Sequence, residues 1–340
     1  LFNGRYILKI GIPRALLWSI YLPLWKAFFN ELGHEVVLSP PTNKKILNDG
    51  VTACVDDACL PVKIMHGHVI DLMDRADLIF IPRLISICPR EYICPKFIGL
   101  PEMIRNSVAG GPKLLVLDFN AHKSIRHGYD GFIAIGRQLG ARESAVRRAL
   151  ARAMKAQDEY TARLLGGSNP LMLLEGMALH AGIGGNKGTI GLIGHPYLLY
   201  DRFVSMDACR KLAQMGYRLI FPENILPEQI ERTCSIYPKK LFWSYGKHLL
   251  GSGLAMLEKG MADGIIVLSS FGCGIDSFMV ELLQRQNQRD FRIPLTVITL
   301  DEHSGNAGFD TRLEAFVDML EWRDHNGHYF SPHGEGLYIC

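Results

Sequence analysis

Gly264–Asp276 reads GIIVLSSFGCGID. Its first five residues, Gly264–Leu268, are apolar and mostly β-branched, and small polar residues follow at once. That is the signature of a short strand buried on both faces of a parallel sheet. The run Asp276–Arg289 has helical spacing, so the stretch reads strand, tight loop, helix. Cys273 stands in the loop. Glycines on both sides let the backbone approach a bulky ligand closely. The helix N-terminus that follows offers free N–H groups and the positive end of a dipole, which favour a thiolate. In parallel α/β sheets ligands bind at the carboxyl ends of the strands. Cys273 is therefore read as a ligand-bearing or nucleophilic cysteine in preference to a structural one.

The same rhythm extends in both directions. Downstream of residue 188, strands are expected at Thr189–Ile193, Arg218–Phe221 and Leu295–Thr299, with helices at Met206–Met215, Leu241–Lys259 and Thr311–Trp322. Upstream, strands are expected at Tyr6–Ile12, Glu35–Leu38, Asp77–Pro82 and Lys113–Asp118, with helices at Leu16–Leu32, stopped by Gly33, and at Val62–Met73. Alternation with short links implies α/β architecture with parallel sheets and helices on both faces. Between the two halves, ARESAVRRALARAMKAQDEYTARLL has helical periodicity and mixed charge, the pattern of a solvated connecting helix. Gly166–Pro170 and Gly182–Gly188 read as turns or hinges. The expected organisation is an N-terminal α/β domain (1–125), a helical connector (126–187), a C-terminal α/β domain (188–325) and a polar tail (326–340).

The chain has 340 residues, enough for about two domains. With 37 basic against 34 acidic residues, the net charge of +3 gives no reason to expect nucleic acid or an anionic membrane. No apolar run approaches the roughly 20 residues of a membrane span. The opening LFNGRYILKIGIP has no signal-peptide layout, and a cytoplasmic location is expected. In a reducing compartment, 8 cysteines point to metal binding or catalysis before disulfides.

Two further cysteines share a local grammar. Cys94 lies in EYICPKF and Cys59 in VDDACLPVK, each followed closely by proline. Proline after a cysteine ligand is common beside iron–sulfur clusters. Cys54 and Cys88 precede these two, but the spacings match no zinc ribbon, ferredoxin or thioredoxin pattern and leave the metal open. Cys209 falls within an amphipathic helix and reads as core; Cys234, near a helix end, is ambiguous, and Cys340 is terminal. His195, in GHPYLLYD, follows a strand. DEHSG (Asp301–Gly305) also follows a strand and brings Glu302 and His303 towards a cleft. His66 and His68, two residues apart on a helix, point to different faces and are not expected to share a metal. No GxGxxG or Walker A pattern occurs.

Taken in order, IGIPRALL, SPPTNK, DDACLPVKIMHGHV, IFIPR, EYICPKFIGLP, FWSYGKHLLG, SSFGCGIDS, TLDEHSG and TRLEAFVDML resemble proteins related to the D-component of 2-hydroxyglutaryl-CoA dehydratase, the acyl-CoA dehydratase activase-related proteins. The resemblance runs from about Ile10 to Leu320. It places the chain near 2-hydroxyacyl-CoA dehydratases, benzoyl-CoA reductases and double-cubane cluster proteins. It implies stacked Rossmann-like or flavodoxin-like domains with a [4Fe–4S] cluster in the cleft between them, held by Cys59, Cys94 and Cys273. It also implies low-potential electrons delivered by an ATP-dependent iron–sulfur activase, as in anaerobic metabolism, and a small-molecule or acyl-CoA substrate. His195, Ser270, Glu302 and His303 are the candidates to face cluster or substrate in reductive or dehydration chemistry. The chain is shorter than the catalytic subunits and shows no clear CoA-binding signature. A non-catalytic cluster carrier or activase-associated scaffold, a double-cubane reductase, and a metal-free hinged binding protein are the alternatives. The superfamily also makes a homodimer plausible.

Overall fold

The computed structural model describes residues 7–177 and 187–326. Eight strands form two four-stranded, all-parallel sheets. In the first, β1 (Lys9–Ile12), β2 (Glu35–Leu38), β3 (Leu78–Ser86) and β4 (Leu114–Asn120) lie in the order β2-β1-β3-β4. In the second, β5 (Thr189–Ile193), β6 (Arg218–Ile220), β7 (Gly264–Ser270) and β8 (Leu295–Leu300) lie in the order β6-β5-β7-β8. One topology is thus used twice, a mixed α/β architecture of two Rossmann-like or flavodoxin-like units. Central β5 and β7 are buried along their whole length, which explains why they read as unbroken apolar runs.

The order reverses between β1 and β3, and again between β5 and β7. At such a switch point the chains leaving adjacent strands diverge and open a crevice at the carboxyl edge. In the second sheet that edge carries Gly194–His195 after β5 and Phe271–Cys273 after β7. In the first it carries Pro13–Leu17 after β1 and the long loop Ile87–Cys94 after β3.

Helix ends differ from expectation where the backbone turns left-handed. The first helix spans Trp18–Glu31 because Leu16 takes φ 54, and Met206 (φ 49) and Asp207 (φ 59) delay the next to Ala208–Gln214. The last helix is longer than its apolar spacing suggested, Asn306–Asn326. Helices at Lys44–Ala53 and Pro227–Cys234 were not anticipated. The former packs so closely on Leu60–Leu72 that a Cβ at Gly50 would sit 2.0 Å from the Lys63 carbonyl oxygen, and one at Gly67 1.9 Å from that of Ile46. Only glycine permits that approach.

The halves share one apolar core. It runs from Ile79, Ile81 and Leu84 of β3 through Leu60 and Ile64 to Ile190, Leu192 and Leu268 of the second sheet. The helix Glu143–Leu165 packs on Trp18–Glu31, where the Tyr160 hydroxyl donates to the Ser19 carbonyl at 2.7 Å. Among the described residues no helix is long and apolar enough to cross a membrane. The expected hinge at Gly182–Gly188, apart from Lys187 and Gly188, and the tail beyond Asn326 lie outside the described residues.

Candidate functional site

Cys59, Cys94 and Cys273 occupy the same local position in three different elements. Each is the N-cap residue of a helix: Leu60–Leu72, Pro95–Ile98 and Gly274–Gln286 respectively. Pro61 and Pro95 sit at the first two helical positions, where a missing N–H costs nothing. The proline that follows two of the cysteines in the sequence therefore starts the helix that the cysteine caps. For Cys273 the turn is made by Gly272, with φ +74, and by the Cys273 N–H donating to the Ser270 carbonyl at 3.1 Å. A Cβ at Gly272 would lie 4.0 Å from the Cys59 Cα, so the loop after β7 rests against the start of the helix Leu60–Leu72.

The three thiols are half-buried and feel one another. Burial, with smaller contributions from charge on Cys94 and Asp276, pushes Cys59 up to about 11; the Val62 N–H opposes this. Cys94 is raised by burial and by Asp276. Cys273 is raised further by burial, then by Asp276, and also by Cys59 and Cys94. Neighbouring thiolates repel each other in a desolvated site, so as free groups all three hold their protons at neutral pH. A bound cation reverses that preference.

His195 and Asp276 complete the centre. His195 caps Pro196–Leu199 directly after β5, and both side chains are buried. His195 Nε2 approaches Asp276 Oδ1 to 2.7 Å, without an in-line hydrogen bond that would satisfy this oxygen. Asp276 Oδ2 accepts from the Ser270 N–H at 3.0 Å. Ser270 thus serves the centre through its backbone, and its hydroxyl donates to the Phe271 carbonyl. His195, Cys273 and Asp276 each bring a ligand atom within 4.8 Å of the others, a grouping able to hold a metal ion. The three cysteine sulfurs do not all fall within that distance of one another.

Glu302 does not join this grouping. It pairs at 2.5 Å with buried Lys63, one turn along the helix that Cys59 caps, and borders a cleft of ≈ 590 Å³. His303 is exposed, its N–H donating to Asp301 Oδ1 in a turn. His66 and His68 are buried and separately engaged, with Val62 and Thr42. Cys54 packs with Ala58 and Val62. Cys209 and Cys234 are core residues facing carbonyls, and Cys88 borders a different cavity. Asp276 escaped the sequence reading because it served there only to open a helix. Its signal was a carboxylate three residues after a cysteine at a helix start. Tyr197, half-buried and raised by burial and by charge on Asp276 and all three cysteines, carried no such signal.

The family model described as the CoA enzyme activase uncharacterised domain (DUF2229) matches residues 9–225. The chain belongs to this family. The DUF2229 match takes in the first sheet, the connecting helices, β5 and β6, and so includes Cys59, Cys94 and His195. Cys273 and Asp276 follow after the end of the DUF2229 match. No curated protein matches the chain.

Proposed function

We propose that this member of the activase-related family is an iron–sulfur protein in which Cys59, Cys94 and Cys273 hold a [4Fe–4S]-type cluster. The observation that supports this most is the arrangement of three thiols, contributed by both halves and each at a helix start, in which charge on Cys59 or Cys94 raises Cys273 and charge on Cys94 raises Cys59. A single tetrahedral ion about 2.3 Å from every sulfur would draw thiolates to within about 4 Å of one another. A wider cysteine set suits a four-iron cluster better. Buried Asp276, with an oxygen that no in-line donor satisfies, adds a polar group that a cationic centre would engage. The donor set therefore fits the group.

When bound, such a cluster supplies low-potential electron transfer and, with three protein ligands, an iron open to substrate or water. The chain's own residues do the rest. The helix starts favour anionic sulfur. Asp276 lies against His195 Nε2, and the imidazole can hold or release a proton at Nδ1 or Nε2. The apolar wall from Leu60 and Ile64 limits water. Electrons would come from an ATP-dependent activase, for reductive or dehydration chemistry on a small molecule or acyl-CoA. A cluster carrier without its own reaction would share this site and differ only in showing no turnover. Cys88 and Cys234 sit in other packing environments, and Cys54 is buried in the small apolar cluster against which Cys59 packs, which favours a single cluster over a double cubane.

The 4.8 Å grouping favours a second reading, a mononuclear metal on His195, Cys273 and Asp276. Single serine substitutions separate the two. In the cluster reading Cys59→Ser and Cys94→Ser each remove most bound metal; in the mononuclear reading both retain it and His195→Ala loses it.

A further inference from the structure

A second cavity, of ≈ 460 Å³, lies where the helices Trp18–Glu31 and Glu143–Leu165 meet Pro227–Cys234 and Ser244–Glu258. Its wall is chiefly apolar, with Ile20, Ile87, Leu164, Leu165, Ile225 and Ile230. Among the polar side chains that line it, four carry a buried oxygen that receives no hydrogen bond from the protein: Gln157 Oε1, Glu223 Oε1, Glu91 Oε2 and Ser244 Oγ.

The other atoms of these groups are already committed. The second Glu223 oxygen accepts from the Tyr200 hydroxyl. The second Glu91 oxygen holds Lys247, with Lys240 at 3.2 Å. The Gln157 amide nitrogen donates to the Ile20 carbonyl at 3.0 Å, which leaves its oxygen as the free atom. Glu223, Glu91 and Ser244 are 9%, 2% and 6% exposed, so bulk solvent does not reach them freely. Folded proteins rarely leave buried polar atoms unmatched, and unmatched groups gathered in one cavity point to an occupant that supplies the missing partners. Gln157 Oε1 and the free oxygen of Glu91, a carboxylate paired with Lys247, can only accept, and Glu223 Oε1 accepts in its ionised form, so the occupant donates.

The cavity's charge is nearly balanced. Lys247 and Lys240 offset Glu91, and Lys247 also holds Glu231. Burial raises Glu223 to about 7 and lowers His248 to about 4, so neither presents a strong fixed charge at neutral pH. A charged ligand would gain no counter-ion there. We infer that this cavity is a binding site for a neutral, largely apolar small molecule bearing one or two hydroxyl groups, which donate to Glu223 and its neighbouring acceptors. The site reaches beyond the metal reading and does not require it. Tyr245 forms part of the wall, and its ring lies 6.0 Å from that of His195 and 6.3 Å from that of His248. The ligand therefore sits one side-chain layer behind the His195–Asp276 pair.

The test uses the full chain and two probes of similar shape, p-cresol, which donates a hydrogen bond, and 4-methylanisole, which can only accept one. Calorimetry or ligand-observed NMR is expected to show one-site, saturable binding of p-cresol, with 4-methylanisole at least about tenfold weaker, since a lost donor leaves a buried acceptor unmatched. Leu165→Trp fills the cavity from its partly exposed rim and is expected to abolish p-cresol binding. Glu223→Gln replaces the free acceptor by a donor and is expected to narrow or reverse the preference, which keeps the test decisive if the tryptophan variant does not fold. Absence of saturable p-cresol binding, equal affinity for both probes, an unchanged preference in Glu223→Gln, or full binding by folded Leu165→Trp would each overturn the site. None of these outcomes depends on iron content.

Discussion

Asp276 raises the thiol of Cys273, after burial, and that of Cys94 as well. Removing its charge while keeping its shape should lower both. In metal-free protein, Asp276→Asn is expected to make Cys273 alkylate several-fold faster at pH 9, read peptide by peptide in mass spectrometry, while buried Cys209 stays unreactive. An unchanged Cys273 rate would mean that the carboxylate does not act on the site. Glu223 offers a second residue-level test. Burial raises its folded pKa from 4.5 to about 7. The folded state therefore binds the proton more tightly, and the stabilisation present below pH 4.5 is lost as pH rises through about 7. Glu223→Gln stays neutral, so its stability relative to the parent chain should improve between pH 5 and 8 by on the order of 2 kcal/mol. Denaturant titrations at both pH values would show it; a constant difference would contradict it. The position of Cys273 at a strand end was legible in the sequence, because strand, glycine and helix start are all local signals. Asp276 and Glu223 were not, since each matters through burial that only the folded chain defines.

Helices and strands differ in how plainly they announced themselves. The central strands did so because burial on both faces demands unbroken apolar runs, as in GIIVL. The helix Lys44–Ala53 was missed although Asn43, after Pro40 and Pro41, caps it by accepting from the Ile46 N–H at 3.1 Å. Its face towards Leu60–Leu72 buries only Ile46, Leu47 and Gly50, and the glycine contact sets how closely the helices approach, so periodicity alone is a poor guide to it. This contact also positions Cys59. Gly67→Ala would place a methyl against the Ile46 carbonyl and is expected to cost about 3 kcal/mol in chemical denaturation. The same variant should bind less metal, because the helix that presents Cys59 must shift. A variant of unchanged stability would show that the helices separate without cost.

The halves of the molecule are joined by contacts that no local pattern foretells. Lys63 and Glu302 are 239 residues apart in sequence and pair at the edge of the cleft that Glu302 borders. The Tyr92 N–H donates to the Phe242 carbonyl at 2.7 Å, and the Ser244 N–H to the Tyr92 carbonyl at 2.9 Å, tying the loop that carries Cys94 to the second half. The parallel α/β architecture of both halves followed from the strand–helix rhythm; the strand order, the shared core and these ties did not, because they depend on how elements and finished units dock. Glu302→Gln leaves the buried Lys63 ammonium without its counter-ion and should cost about 3 kcal/mol, with faster hydrogen exchange along Leu60–Leu72. Unaltered exchange there would mean the pair does not hold the halves together. The account as a whole rests on three thiols from both halves meeting at one centre. Its most direct test is the iron and acid-labile sulfide content, with an EPR spectrum, of protein purified without oxygen. About four irons and four sulfides per chain, with the EPR signal of a reduced cubane, are predicted. Protein that takes up no iron or sulfide even after reconstitution would contradict the account.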